Sequence, residues 1–257
     1  MFNVTPIPAF NDNYIWALTV PNSQAVAVVD PGDADVVNRY LKDNNLQLTA
    51  ILVTHHHDDH TGGVNQLHLE HAAEVYGPAN SPFEGISHKL VNDDQIELMG
   101  QLLTIHAVPG HTLDHISYYL ANTTPQLFCG DTLFLAGCGR LFEGSPEQMH
   151  EAMEYFKSLP DTTEVYCTHE YSLANLAFAA AVEPTNPQIT AAIARCTQQR
   201  EAGLPTLPST IATEKQINPF LRYNETTVKQ SAEQFAHSPL SSEIAIFASL
   251  RQWKNQF

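Results

Sequence analysis

Four side chains able to bind a metal, His55, His57, Asp59 and His60, fall within the stretch TAILVTHHHDDHTGG (49–63), directly behind an apolar run. Alternate side chains of an extended segment share a face, so His55 and His57 point into one pocket while His56 points away from it. Two imidazoles aimed at one point begin a metal site, since imidazole is the commonest protein ligand for zinc and its neighbours. Asp59 and His60 lie where the chain turns toward the next helix, placed to serve a second ion beside the first. Gly62 and Gly63 are read as relief for a tight turn so close to the ions. A lone histidine in a loop is ordinarily just solvated, but four donors in the spacing H-x-H-x-D-H are improbable by accident.

The remaining donors lie further along. VPGHTLDH places His111, FCGD places Asp131 and YCTHE places His169, each behind an apolar run that reads as a strand. The expected assignment is His55, His57 and His111 to one ion, and Asp59, His60 and His169 to the other. Asp131, with two carboxylate oxygens, bridges them. Asp58 and Glu170 are expected to steady the imidazoles. Histidines 56, 68, 71, 88, 106, 115, 150 and 237 are read as ordinary surface or core residues.

These donors need strand ends that converge. FNVTPIPA, YIWALTV, QAVAVVD, LTAILVT and AEVYGP read as strands, with a helix from Ala34 to Asn44 capped by Asp33 and another behind Gly62-Gly63. QIELM and LLTIHAVP flank Gly100 as a hairpin, and ISYYL and QLFCGD follow as two more strands. A helix starts at Ser145-Pro146-Glu147-Gln148, with serine as cap, proline at the first position and glutamine three after the cap. TEVYCTH is the last expected strand. Beyond it everything reads as helical: Ser172 to Glu183, Pro187 to Ala202 between an Asn186 cap and Gly203, and Leu240 to the C-terminus. The class is therefore α/β followed by α, with domains expected at 1–169 and 170–257.

Charge divides the chain at the same place. The net charge is −16, with 12 basic and 28 acidic residues, and all of that excess lies before residue 170. Such acidity argues against a nucleic-acid partner, because phosphate binding needs clustered Lys and Arg. No apolar run approaches a membrane span and no basic-then-apolar leader opens the sequence, so a cytoplasmic monomer without membrane association is expected. The four cysteines, 129, 138, 167 and 196, form no C-x-x-C pair and read as buried thiols.

The set T-H-x-H-x-D-H, G-H-T, G-D and T-H-E resembles the metallo-β-lactamase superfamily over about residues 1 to 170. That resemblance implies an αββα sandwich with a binuclear site at one edge, on a fold that hosts several chemistries. GCGRLFEG (137–144), THEYSLANL (168–176), NPFLR (218–222) and the terminal RQWKNQF resemble the glyoxalase II, or hydroxyacylglutathione hydrolase, family and extend the likeness over nearly the whole chain. It implies hydrolysis of S-D-lactoylglutathione to D-lactate and glutathione at two divalent ions, zinc first, with iron or manganese as alternatives. Asp59 and Asp131 become catalytic as well as metal-binding residues, and Arg140, Tyr171, Arg251 and Lys254 become substrate-binding ones. Some family members carry tyrosine where this chain has Phe142, which removes one hydroxyl contact. The nearest competing reading on the same fold is a glutathione persulfide dioxygenase with a single iron.

Overall fold

The computed structural model describes all 257 residues. Its first half opens with β1 (Asn3–Ala9), β2 (Asn13–Thr19), β3 (Ala25–Val29), α1 (Ala34–Asn44) and β4 (Gln47–Leu52). The single turn α2 (Asp58–Thr61), then α3 (Val64–His71), β5 (Glu74–Pro78) and β6 (His88–Leu90), complete that layer. The six strands pair in sequence order, antiparallel from β1 to β3 and parallel from β3 to β6. Alternation along the strands decides what each face packs on. Val26, Val28, Ile51 and Val53 join Val37 and Leu41 of α1 and Val64 and Leu67 of α3 in one cluster, whereas Ala27, Val29, Ala50 and Leu52 face the opposite way into the larger core.

The second layer comprises β7 (Gln95–Leu98), β8 (Gln101–Ala107), β9 (Ile116–Leu120), β10 (Gln126–Gly130), the small hairpin β11 (Leu133–Phe134) and β12 (Gly137–Cys138), α4 (Pro146–Ser158) and β13 (Glu164–Cys167). α5 (Ser172–Val182), α6 (Pro187–Glu201), β14 (Ser209–Thr210), α7 (Ile211–Ile217), α8 (Thr226–Ala236) and α9 (Glu243–Gln256) follow. The second sheet has the order β14-β13-β10-β9-β8-β7. β8, β10 and β13 run in one direction, since β9 is antiparallel to both β8 and β10 and β13 is parallel to β10. α4 lies over this sheet, where Tyr155 stacks on His106 of β8 at 3.5 Å between ring centres. The architecture is thus an αββα sandwich with a helical C-terminal region.

The expected helix starts are present with their chemistry. Asp33 accepts the backbone N–H groups of Asp35 and Val36, and Ser145 and Gln148 form a reciprocal capping box. Seven elements escape the sequence reading: α2, β6, β11, β12, β14, α7 and α8. β14, inside the region expected to be wholly helical, is two residues long and exists only by pairing with β13. The last helix starts at Glu243 rather than Leu240, because the Ser242 hydroxyl accepts the Ala245 N–H and so caps it there. No helix is long and apolar enough to cross a membrane.

Candidate metal centre and pocket

The C-terminal ends of β4, β8, β10 and β13 meet at one edge of the sandwich, and each delivers its donors there. His55 and His57 follow β4, His111 follows β8, Asp131 follows β10 and His169 follows β13. Three sets of potential ligand atoms cluster: His55, His57 and His111; Asp59, His60 and His169; and His55, His60 and Asp131. The structure therefore brings together all seven residues singled out in the sequence.

Their hydrogen bonds select which nitrogen is available. The Thr54 hydroxyl donates to Asp30 Oδ2 at 2.8 Å, so it accepts from His55 Nδ1 and leaves His55 Nε2 with a free lone pair. His111 Nδ1 donates to the Arg140 carbonyl at 2.8 Å. His169 Nδ1 donates to Asp12 Oδ1 at 2.8 Å. His57 Nδ1 stands 3.1 Å from both His55 Nε2 and His111 Nε2. Nitrogens bound tetrahedrally at about 2.0–2.1 Å would be separated by about 3.3 Å, so three lone pairs converging at this spacing fit a metal. Burial holds the His55 and His111 imidazoles below the ordinary histidine range, in the neutral form that ligates.

The second set is anionic. Asp131 Oδ1 is 3.5 Å from His60 Nε2, and Oδ2 is 3.2 Å from His169 Nε2 and 3.6 Å from His111 Nε2, so the carboxylate spans both groups. His60 Nε2 and Asp131 Oδ1 are buried without any hydrogen-bond partner, the state of atoms whose partner is an ion. Burial alone would depress His60 and His169, but the Asp131 charge outweighs it when joined by Asp30 and the Asp131 contact at His60, and by the Asp131 and Asp59 contacts at His169, pushing His60 well up and His169 to about 10. Burial likewise opposes ionisation of Asp131, and the His60 and His169 charges override it.

The supporting partners differ from those expected. Asp58 is exposed, and the Glu170 carboxylate accepts from the Tyr14 hydroxyl and from Thr206, touching no imidazole. Asp12 does that work for His169, while Asp30 holds Thr54, and so His55, by hydrogen bonds and lies 3.0 Å from His60 Nδ1 as a charge contact; Asn13 Nδ2 donates to Asp59 Oδ2 at 3.0 Å. Asp30 ends β3 as Asp131 follows β10, and VVD beside FCGD is the signal that could have found it. Asp12, in the β1–β2 turn, and Asn13, the first residue of β2, carry none, because their neighbours are known only from the fold. His115, expected to be ordinary, stacks on His55 at 4.6 Å and accepts the Asp131 N–H through Nε2. Gly62 and Gly63 also act differently: their φ angles of −57 and −89 suit any residue. They are small because Gly32, Pro31 and Ala34 pass close by; a Cβ would come within 2.7 Å of the Gly32 oxygen at residue 62 and within 2.6 Å of the Pro31 oxygen at residue 63.

A cavity of about 500 Å³ opens from the metal cluster. Arg140, Arg251 and Lys254 line it, as do Phe134, Phe142 and Tyr171. Tyr171 stacks flat on His169 at 4.6 Å, and Phe142 stands edge-on to His57 and His111. Arg251 is buried, with Nη1 donating to the Cys138 carbonyl at 2.7 Å, and Lys254 Nζ donates to the Ala174 carbonyl at 3.1 Å.

A model of the metallo-beta-lactamase superfamily matches residues 12–169, and one of the hydroxyacylglutathione hydrolase C-terminus matches residues 170–257. The hydroxyacylglutathione hydrolase of Pseudomonas syringae is 51% identical over 259 residues, covering 100% of each chain. This chain belongs to the hydroxyacylglutathione hydrolase family. A second family relative, from Chromohalobacter salexigens, is 50% identical over 258 residues, again with 100% of both chains covered. The crystal structure of ETHE1 from Myxococcus xanthus superimposes with a TM-score of 0.65 over 99% of this chain and 98% of its own, at 22% identity, a likeness of fold. As a member of this family the chain is a divalent-metal enzyme, and the His and Asp clusters described above offer donor atoms close enough together to hold such an ion.

Proposed function

We propose that the chain hydrolyses S-D-lactoylglutathione and related S-2-hydroxyacylglutathiones to the 2-hydroxy acid and glutathione, the second step of methylglyoxal detoxification, with zinc in both metal positions. The reading is carried by one juxtaposition: a seven-donor His/Asp cluster opens into a cavity lined by three cations, in a chain 51% identical along its length to a hydroxyacylglutathione hydrolase.

A pair of divalent ions supplies Lewis acidity and lowers the pKa of water from 15.7 to about 7. The residues supply everything else. Arg140 and Lys254 draw the glutathione carboxylates into an otherwise acidic protein, and Arg251 shapes the wall beneath them. Phe134, Phe142 and Tyr171 exclude bulk water around the thioester, with Tyr171 fixed by its stack on His169. Asp59, anchored by Asn13, orients the attacking water toward the acyl carbon, and Asp131 holds the two donor groups in register. The acyl C–S bond then breaks. The sulfur leaves as a thiolate of parent pKa about 8.5, so no side chain need protonate it.

The test follows cleavage of S-D-lactoylglutathione by purified protein, stripped with a chelator and reloaded with zinc, iron or manganese in turn, beside elemental analysis. Oxygen-independent hydrolysis, lost on stripping and restored with two equivalents of zinc, is the expected result. Oxygen uptake with glutathione persulfide and no thioester cleavage would instead establish the dioxygenase reading.

A further inference from the structure

The hairpin β11–β12 carries Phe134, one wall of the cavity, yet it is only two rungs long and cannot hold its own shape. Its tip turns through Ala136 at φ 54, a left-handed conformation that a non-glycine residue adopts at a cost. What holds it comes from the far side of residue 170. The Ala136 N–H donates to Glu214 Oε2 at 2.8 Å. Asn218 Nδ2 faces the Phe134 carbonyl at 3.2 Å, the Gly137 carbonyl at 3.0 Å and Glu214 Oε2 at 2.9 Å. Asn175 Nδ2 donates to the Leu135 carbonyl at 3.1 Å, and Arg251 Nη1 reaches the carbonyls of Cys138 and Gly139. From residue 134 to 139 the Ala136 N–H and five of the hairpin's carbonyls are thus met by side chains of α5, α7, α9 and the residue capping α7.

Glu214 and Asn218 are both fully buried, and no cation contacts the Glu214 carboxylate; its partners are Ala136 N–H, Asn218 and the Ser209 hydroxyl. Burying a carboxylate among neutral donors is expensive, and an apolar pair would pack the same volume at lower cost. A polar pair here makes physical sense if its product is the hairpin geometry. Asp131, just upstream, has supports of its own: its N–H donates to His115 Nε2 at 3.1 Å and the Thr132 N–H donates to the Cys129 carbonyl, while the Thr132 carbonyl accepts the hairpin's Gly139 N–H.

We infer that Glu214 and Asn218 form a positioning clamp that holds the 133–139 hairpin, and with it the Phe134 wall and the Arg251 anchor, in substrate-accepting geometry without contacting substrate or metal. Part of this rests on the hydrolase reading above.

Glu214→Ala removes the acceptors. Glu214→Gln keeps the shape and can still accept from Ala136 N–H and Asn218 through its oxygen while its amide donates to Ser209. Val37→Ala, in the other cluster, controls for simple destabilisation. Hydrogen exchange of the metal-loaded full chain should quicken selectively at residues 133–139 in E214A, while E214Q stays at the wild-type rate. E214A should raise KM for S-D-lactoylglutathione roughly tenfold with kcat within about twofold and metal content unchanged; E214Q should restore KM and V37A should leave it alone. Asn218→Ala serves the same comparison if E214A does not accumulate folded. Unchanged exchange at the hairpin, failure of E214Q to rescue, or an equal KM rise in V37A overturns the clamp. Exchange is read without substrate, so a wild-type chain that does not cleave the thioester overturns the hydrolase reading and not this one.

Discussion

Asp131 reaches toward both donor groups, because its two oxygens face His60, His111 and His169 at once. Asp131→Ala should abolish thioester turnover and lower the metal content measured by elemental analysis; normal turnover would show that it does not bridge. Asp12 acts one step out. Its carboxylate fixes His169 with Nε2 facing inward, and loss of such a partner typically weakens metal binding about 10- to 100-fold. Asp12→Ala should therefore weaken one of two metal equivalents in a competition titration while the other, on His55, His57 and His111, keeps its affinity. Equal weakening of both would mean the two groups are not separable. Arg251→Ala should mainly raise KM in steady-state kinetics, since Arg251 lines the cavity and holds the Cys138 carbonyl but belongs to none of the donor clusters.

Among the elements, α4 shows how local sequence carries into packing. Its capping box fixes the start of a helix that buries Met149, Ala152, Met153 and Phe156 in the main core. Ser145→Ala removes the side-chain acceptor of the Gln148 N–H and should cost about 1 kcal/mol in denaturant unfolding. An unchanged midpoint would show that packing alone fixes the helix start. α4 was readable in advance because cap, proline and apolar periodicity all agree over a few residues. α7 was not. It has only seven residues, and its buried Glu214 looks polar in sequence while serving as core in the fold.

For the whole molecule, the same carboxylate ties stability to pH. Burial pushes Glu214 up from an ordinary 4.5 to about 7. Between those values the folded chain holds a proton that the unfolded chain has released, so stability falls as pH rises through that window. The difference is fully developed above about pH 7 and amounts to at most about 3 kcal/mol. E214Q, permanently neutral, should match wild type near pH 4.5 and gain on it up to about pH 8 in parallel unfolding curves. A constant difference across that range would mean Glu214 is not protonated in the folded state.

The seven clustered donors could be named from the sequence because ligand chemistry is local. His55, His111, Asp131 and His169 each follow shortly after an apolar strand, and H-x-H on an extended segment sends two imidazoles to one side whatever the rest of the chain does. Strand alternation and helix caps are legible for the same reason. What only the tertiary structure decided lies between residues far apart in the chain: Asp12 on His169, 157 positions away, and Asn218 on the Phe134 carbonyl, 84 positions away. No periodicity links such pairs. They are chosen when burial strips water from a polar group and the nearest donor or acceptor in the folded chain must replace it.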